Sequence, residues 1–467
     1  MRAQRPRLYP GAMATTRPHT LTRAQVFAQA WPIMLGQASV PLVGVVDTIV
    51  IGRTGNTAAL AGVALGATVI NLIFWSFGFL RMGMTGLTAQ ADGSGNHAEV
   101  NALLLRGLAT GGAIGLVLLA LNVPLAHIAF ALLAGGKDVT AEANAYVAAS
   151  FLGGPAALAV FAITGWLFGL GRSRAALVLQ VVMNLANIAL DVWFVRGMGM
   201  GARGVALGTA GAQWIALATG LVIASWIAGG GPLALARETG FAQLFDRPAL
   251  SKLFHVNRDL MIRTIALLLL FTWFANAGAR LGATTLAANQ VLMQFVNVAA
   301  FVLDAFAFTA ESRVGNAVGA RSRVEFLRAV RLTAEFALVF GALLALAYWL
   351  AGSFAIEGIA TDAQVRRAAT AFLPFAALVP LLGVPSWMLD GIFIGATRGV
   401  ALRNAALATT AIYIALDISL RPLGPTGVWT ALLSAYVLRA LTLGSAFPAL
   451  LRSLDAPQVL AKGAESA

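Results

Sequence analysis

The sequence predicts an all-α integral membrane protein with twelve transmembrane helices, in two six-helix lobes related by a pseudo-two-fold axis along the membrane normal. Three observations predict this fold class. The chain is 59% hydrophobic and only 11% charged, whereas soluble domains have about 25% charged residues. It contains twelve apolar stretches long enough to cross the hydrocarbon core, a crossing that takes about 20 residues. Its second half also repeats the first at a nearly constant spacing.

The apolar stretches fall into two groups of six. The first group covers residues 26–51, 59–84, 100–126, 141–168, 174–195 and 204–228. The second group covers residues 259–280, 286–311, 328–352, 366–394, 400–420 and 427–450. This organisation predicts an N-terminal tail (1–24), an N-lobe (25–228), a connector (229–257), a C-lobe (258–451) and a C-terminal tail (452–467).

The lysines and arginines predict the orientation in the membrane. If the N-terminus is cytoplasmic, 20 of the 32 basic residues fall on the cytoplasmic side, eight on the other side and four within helices. This bias predicts that the tails and the connector are cytoplasmic. The first 24 residues carry five arginines but no apolar core, so they do not form a cleavable signal peptide.

The internal repeat has an offset of 226 residues. The agreeing pairs include glycines, an arginine and an aspartate, namely Gly165–Gly391, Gly169–Gly395, Arg172–Arg398 and Asp191–Asp417. Before its last helix the second half is three residues shorter, so that Gly204 meets Gly427. Because each repeat has an even number of helices, both repeats insert with the same orientation, which places the symmetry axis along the membrane normal.

Acidic residues inside the apolar stretches are the first candidates for function. Insertion scales give a cost of roughly 2.5–3.5 kcal/mol for Asp at the centre of a membrane helix. Seven such residues occur, namely Asp47, Asp191, Asp304, Glu311, Glu335, Asp390 and Asp417. Glu311 and Glu335 lie near helix ends or beside arginines, which favours structural pairing. Asp304, Asp390 and Asp417 are candidates for lining a cavity in the C-lobe, and for the first two a structural role in polar contacts between helices is an open alternative.

Asp191 shares one helix face with two amides. Asn184, Asn187 and Asp191 follow the spacing i, i+3, i+7, and a face this polar must point into the protein rather than into lipid. Together with Asp47 it offers the oxygen atoms that hold H⁺ or Na⁺. The alternative is a polar network that only holds the helices together.

Two hydroxyl groups would complete this site. Thr209 in the sixth stretch and Tyr146 in the fourth are the candidates, and a Na⁺ ion would be held by Asp47, Asn187, Asp191 and Thr209. Burial raises the pKa of a carboxyl group, and a neighbouring carboxylate raises that of one member of a pair further. Such a pair can bind a proton near neutral pH and bias a bistable helix. Pro32 and Pro41 in the first stretch are candidate bending points, or ordinary prolines of a membrane helix.

At these residues the sequence resembles the multidrug and toxic compound extrusion (MATE) transporters, specifically the DinF-like branch. The segments similar to that branch are Ala30-Trp31-Pro32-Ile33-Met34-Leu35 with Asp47-Thr48, Asn187-Ile188-Ala189-Leu190-Asp191, Gly204-Val205-Ala206-Leu207-Gly208-Thr209, Asn257-Arg258-Asp259-Leu260 and Asp390-Gly391-Ile392-Phe393-Ile394-Gly395-Ala396-Thr397. The resemblance extends from Leu21 to Leu451.

The resemblance implies an H⁺- or Na⁺-coupled antiporter that exports organic, often cationic, compounds. It implies that Asp47 and Asp191 couple the ion, that Asn187, Thr209 and Tyr146 belong to the same site, and that the first helix bends at Pro32. It also implies a monomer in the bacterial inner membrane whose partners are lipids and small organic substrates. The NorM-like branch has an acidic residue in the seventh helix, where the repeat mate of Asp47 is Trp273.

Other functions fit the sequence less well. A flippase for lipid-linked precursors or polysaccharides would need a more cationic cavity and often more helices. A membrane-embedded transferase would need a concentrated catalytic motif, which neither the loops nor the four histidines supply. The chain has no cysteine, so a thiolate metal site is excluded, and it lacks the phosphate-loop motif of nucleotide-driven pumps. The net charge of +13 is explained by membrane topology rather than by nucleic-acid binding. We therefore expect neither an enzyme nor a cofactor apart from the coupling ion.

Overall fold

The computed structural model describes residues 20–132 and 136–455, and this part of the chain is helical with no β-strand. Twelve of its helices are long and apolar enough to cross a membrane. They are α1 (Arg23–Gly52), α2 (Thr57–Gly93), α3 (His97–Ala120), α4 (Lys137–Gly169), α5 (Ser173–Gly197), α6 (Gly201–Ala228), α7 (Arg247–Arg280), α8 (Ala283–Gly319), α9 (Arg323–Ile359), α10 (Ala363–Gly395), α11 (Gly399–Ser419) and α12 (Pro425–Asp455). The fold class predicted from the sequence is confirmed.

The helix boundaries follow local signals. Thr22 accepts a hydrogen bond from the backbone N–H of Gln25, whose side chain accepts one from the N–H of Thr22 in return, and this capping box starts α1. At the other end of the N-lobe, α6 stops at Ala228 because Gly229 adopts the left-handed conformation with φ 78°, which favours glycine. The predicted tails at 1–19 and 456–467 lie outside the described residues.

Two boundaries differ from the hydropathy prediction. The apolar stretch at 100–126 belongs to two helices, α3 and a short helix at Asn122–Leu132, because average hydropathy does not register a backbone turn. The connector contains a helix at Pro232–Leu244, and α7 already begins at Arg247. Buried Arg106 of α3 fixes this connector helix by donating a hydrogen bond of 3.1 Å from Nε to the carbonyl of Leu244.

The internal repeat is visible in the packing of each lobe. In the N-lobe, a Cβ on Gly165 would overlap the backbone carbonyl of Arg81, so that α4 and α2 touch backbone to backbone. In the C-lobe, Gly391 of α10 meets Ala307 of α8 in the same way, and both partners lie 226 positions later. Small residues allow this close approach of membrane helices. The two six-helix lobes therefore share one internal arrangement.

The lobes meet along a seal between α2 and α8. A Cβ on Gly93 would overlap the carbonyl oxygen of Asn316, and a Cβ on Gly319 would overlap the carbonyl oxygen of Gln90. Gly319 is the repeat mate of Gly93, and Asn316 is the repeat mate of Gln90. The two contacts are therefore related to each other by the pseudo-two-fold axis. The side chain of Asn316 also donates a 2.9 Å hydrogen bond to Asp92. These four backbone positions are called the α2–α8 seal below, and in the predicted topology they lie at the cytoplasmic end.

Candidate functional site

Asp47 and Asp191 come together where α1 packs against α5. Asp191 is fully buried and Asp47 nearly so, and their carboxyl groups act on each other directly. In the described residues, no hydrogen bond reaches Oδ1 of Asp47 or either carboxyl oxygen of Asp191. A buried polar atom without a partner is costly. A cation or a proton is the kind of partner that would satisfy these oxygens.

Asn187 and Thr209 border this pair. The side-chain amide of Asn187 donates a hydrogen bond of 3.2 Å to the Thr209 hydroxyl, which ties α5 to α6. The amide oxygen of Asn187 is buried and has no donor in the described residues. It therefore adds a further unsatisfied oxygen to those of Asp47 and Asp191. Carboxylate, amide and hydroxyl oxygens are the ligands that hard cations prefer.

Tyr146 closes the site from α4. Its side chain is buried and lies within electrostatic range of both carboxyl groups. The ring packs against Gly66 of α2, where an added Cβ would come to 2.7 Å from a ring carbon. The predicted position of Tyr146 beside Asp47 and Asp191 is thus observed.

Asn184 lies one turn before Asn187 on the same face of α5, but its contacts are different. It donates a 2.8 Å hydrogen bond to the Ser39 hydroxyl of α1 and accepts one of 2.9 Å from Gln180. This contact joins α5 to the middle of α1. Pro32 is buried within α1, and the helix continues through it without interruption.

Gly208 is a site residue that the sequence analysis did not single out. A Cβ at this position would overlap Oδ1 of Asp191, so only glycine leaves room for the carboxyl group between α5 and α6. The backbone of α5 also changes to a π-helix at Val192–Gly197, directly after Asp191, an irregularity that is frequent at functional sites. The available signal was the position of Gly208 beside Thr209 in the segment that resembles the sixth helix of the family.

The repeat mate of Asp191 is in a different electrostatic environment. Asp417 accepts a hydrogen bond of 2.9 Å from the indole of Trp273 and one of 2.7 Å from Arg280. Its charge is therefore balanced by an arginine within the protein. The nearby hydroxyl of Tyr413, the mate of Asn187, is buried and has no partner in the described residues.

Asp304 and Asp390 belong to a separate group of charges. Asp390 contacts the guanidinium groups of both Arg263 and Arg439. Asp304 lies in the field of those two arginines and of Arg81. Every candidate carboxylate of the C-lobe thus has arginine neighbours, whereas in the described residues neither Asp47 nor Asp191 forms an ion pair with an arginine or lysine.

Comparisons with known proteins agree with this architecture. A family model described as MatE matches residues 32–193 and 260–419, one segment in each lobe. DNA damage-inducible protein F of Escherichia coli K12 is 35% identical over 417 residues, which are 89% of this chain and 90% of that protein. The probable multidrug resistance protein NorM of Acinetobacter baylyi is 22% identical, over 88% of this chain and 92% of its own.

A solved structure shows the same fold. The Vibrio cholerae MATE transporter VcmN in the bent form superposes with a TM-score of 0.82 at 18% identity, over 93% of this chain and 98% of that chain. VcmN is named as a MATE transporter and the NorM protein as a probable multidrug resistance protein, and neither is named as an enzyme. Because the family model matches both lobes and a DinF protein matches nearly the whole chain, this integral membrane protein belongs to the MatE family of multidrug and toxic compound extrusion transporters, in its DinF-like branch.

Proposed function

We propose that this protein is a secondary active exporter that exchanges extracellular H⁺, or alternatively Na⁺, for organic and often cationic compounds from the cell. The observation that carries the proposal is the buried Asp47–Asp191 pair, in which Oδ1 of Asp47 and both carboxyl oxygens of Asp191 lack hydrogen-bond donors in the described residues. Two adjacent negative charges out of water are unfavourable. One bound cation or proton relieves this cost, and its departure restores it.

H⁺ is the first candidate for the coupling ion. A single proton shared by Asp47 and Asp191 removes the repulsion between them without any further ligand. Na⁺ would use the same oxygens together with those of Asn187 and Thr209, of which the latter already accepts a hydrogen bond. An organic cation attracted by the negative pair is displaced when the ion binds, which is the exchange that antiport requires.

Helix α1 connects ion binding to the movement of the lobes. Asp47 lies near one end of α1, while Ala30 near the other end packs against Leu303 and Phe306 of the C-lobe. The distance along the helix is about 25 Å at 1.5 Å per residue. Pro32 lies next to this C-lobe contact, so a bend there changes the packing of the lobes. Between Gly36 and Asp47 every residue of α1 is at least partly exposed, which leaves room for such a bend.

We place the protein in the bacterial inner membrane, as a monomer with both termini in the cytoplasm. The support is the distribution of lysine and arginine between the two sides. A reporter that is active only in the cytoplasm, fused after Leu451, is expected to be active. An inactive reporter in a folded fusion contradicts the orientation.

The decisive experiment is transport into proteoliposomes with one gradient imposed at a time. We expect a pH gradient to drive the movement of a fluorescent organic cation and a Na⁺ gradient at equal pH to drive little. Movement driven only by Na⁺ selects the alternative ion. If neither gradient drives movement, the antiporter proposal fails. A labelled lipid-linked saccharide serves as the comparison substrate, because its movement would favour a flippase. The buried arginines of the C-lobe are balanced by carboxylates, so they do not supply the cationic cavity expected of a flippase.

A further inference from the structure

Six charged side chains, three of them buried and three partly buried, form a cluster on helices other than α1 and α5. Three are arginines and three are carboxylates, so the cluster is neutral when all six are ionised. They come from five helices of both lobes, namely α2, α7, α8, α10 and α12. The members are Arg81, Arg263, Asp304, Glu311, Asp390 and Arg439.

The charges in this cluster are unevenly paired. Asp390 contacts two arginines, Arg263 and Arg439. Arg81 is the counter-ion of Glu311. Asp304 makes no direct ion pair with any arginine in the part of the chain that the structure describes, although three arginines act on it at longer range. The close contacts therefore leave the carboxyl group of Asp304 without an ion-pair partner, and this group acts on Glu311.

The contact between Arg81 and Glu311 is weak for a buried ion pair. Nη1 of Arg81 lies 3.6 Å from Oε2 of Glu311, which is beyond hydrogen-bond distance. Neither of these two buried atoms has a hydrogen-bond partner in the described residues, and Glu311 is only 1% exposed. Buried ion pairs are favourable only when further hydrogen bonds support them. The ionised form of Glu311 is thus poorly stabilised, and a proton can replace its charge at little cost.

Arg81 has a second kind of support that does not depend on Glu311. Its guanidinium lies 3.8 Å from the ring centre of Phe308 and 5.8 Å from that of Phe168. The face of an aromatic ring stabilises a cation within about 6 Å. Phe168 belongs to the N-lobe and Phe308 to the C-lobe, so Arg81 lies between the lobes and stays accommodated if Glu311 becomes neutral.

Glu311 also lies next to the α2–α8 seal. Its backbone carbonyl is in such close contact with Gly395 that a Cβ there would overlap it. Asn316, whose carbonyl faces Gly93 in the seal, follows five residues later on the same helix, about 7–8 Å along the axis. The ion pair therefore spans the lobes where they must separate for the transporter to open to the cytoplasm.

We propose that Glu311 is a second proton-binding site, and that its protonation dissolves the ion pair with Arg81 and lets the lobes separate at the α2–α8 seal. The charged groups that act on Glu311 are Arg81 of α2, Arg263 of α7 and Asp304 of α8 itself. Behind them, Asp390 contacts both Arg263 and Arg439 and holds these two arginines in place. Protonation of Glu311 leaves Arg81 between the two aromatic rings and removes the one close ion pair that α2 makes with this cluster in the described part of the chain.

This site is chemically separate from Asp47. The biological role of Glu311 rests on the proposed export by alternating access. Its test does not, because the opening of the seal is measured without transport. A failed transport assay would therefore refute the antiporter, whereas the distance measurement below tests Glu311 alone.

The test is a distance between spin labels on the two lobes as a function of pH. The chain contains no cysteine, so cysteines introduced at Arg174 and Val400 are the only labelled positions. Both residues are exposed, lie at the start of α5 and α11 and are repeat mates. All measurements are made with purified full-length protein in nanodiscs that carries both Asp47→Asn and Asp191→Asn, so that neither carboxyl group of the first site titrates. The distances are recorded at about pH 5 and about pH 8, on either side of the range in which buried carboxyl groups titrate.

With Glu311 intact we expect short distances at the high pH and a shift to long distances at the low pH. Glu311→Gln mimics the protonated residue and should raise the ratio of long to short distances at the high pH by about tenfold or more. It should also abolish the pH dependence. Glu311→Asp keeps a titratable group and should retain a shift.

Two further variants test whether the effect is specific to the ion pair between Arg81 and Glu311. Arg81→Gln removes the pair from the N-lobe side and should give long distances at both pH values even if Glu311→Gln cannot be purified. Glu335→Gln removes the exposed Arg23–Glu335 pair of 2.8 Å and should behave like the parent, because exposed pairs contribute little. A pH shift that survives in Glu311→Gln, short distances in that variant at both pH values, or the absence of any shift in the parent would each overturn the proposal.

Discussion

The indole of Trp273 donates a 2.9 Å hydrogen bond to Asp417, at the two positions that the repeat pairs with Asp47 and Asp191. At these two positions the N-lobe thus has two carboxyl groups, whereas the C-lobe has one carboxylate and one neutral hydrogen-bond donor. Arg280 adds to this difference between the lobes, because it donates a 2.7 Å hydrogen bond to Asp417. In the C-lobe an arginine of the protein balances the charge of Asp417, whereas we propose that the N-lobe pair takes its cation from solution. This asymmetry is the physical reason for placing ion coupling in the N-lobe.

Asp47→Asn should abolish coupled transport and leave the fold intact. Asparagine has nearly the same size but neither binds a proton nor repels Asp191. We expect gradient-driven export in proteoliposomes to fall by more than about tenfold, within the usual size of a coupling free energy. The matched control is Asp362→Asn, in an exposed residue that caps α10, because asparagine caps helices equally well. Wild-type export by the Asp47 variant would reduce that residue to a structural contact.

Gly208→Ala should impair the ion site without altering any titratable group. The added methyl group would overlap Oδ1 of Asp191, so the carboxyl group must turn away from Asp47. We expect a weaker pH dependence of transport and a loss of about 1–3 kcal/mol of stability from overpacking. Gly112→Ala is the control, since nothing lies within 4 Å of its Cβ. Unchanged transport in both variants would show that the position of Asp191 is not critical.

The repeat mates Asp191 and Asp417 should respond differently to the same substitution. Asp191→Asn should remove gradient-driven transport, whereas Asp417→Asn should keep it because Arg280 is partly exposed and can be hydrated. The second variant should lose about 1.5–3 kcal/mol of stability, since it gives up a charge-assisted hydrogen bond. Transport and thermal unfolding in detergent are measured on both. Equal loss of transport in the two variants would contradict the proposal that Asp191 couples the ion and its repeat mate Asp417 does not.

Gly319→Ala should weaken the α2–α8 seal directly. The new methyl group would overlap the carbonyl oxygen of Gln90, which pushes the two helices apart at this end. We expect the Arg174–Val400 spin-label distance to lengthen at every pH. Gly444→Ala in α12 is the control, because its Cβ would meet no atom within 4 Å. A short, unchanged distance in Gly319→Ala would mean that the seal tolerates the methyl group by a local shift.

The helices and the N-lobe site could be predicted because their signals lie along the chain. Apolar stretches interrupted by single carboxylates identified Asp47 and Asp191 without any knowledge of neighbours. The periodicity of α5 placed Asn187 on the same face as Asp191. The pairing of Glu335 with arginine was also predicted, and Arg23 and Arg331 both bind it. By contrast, Gly208 was missed because its role is to leave room for the carboxyl group of Asp191 on a neighbouring helix, and such a contact does not follow from the spacing of residues along one helix.

The sequence by itself determined the number of helices, their repeat and the two carboxyl groups that α1 and α5 contribute to the membrane interior. Only the tertiary structure decided which acidic residues have a counter-ion. Asp417 meets Arg280 across 137 residues of sequence, and Arg81 meets Glu311 from the other lobe. The physical reason is that hydropathy and spacing depend on neighbours along one helix. The balance of buried charges depends instead on which helices pack together and at what depth.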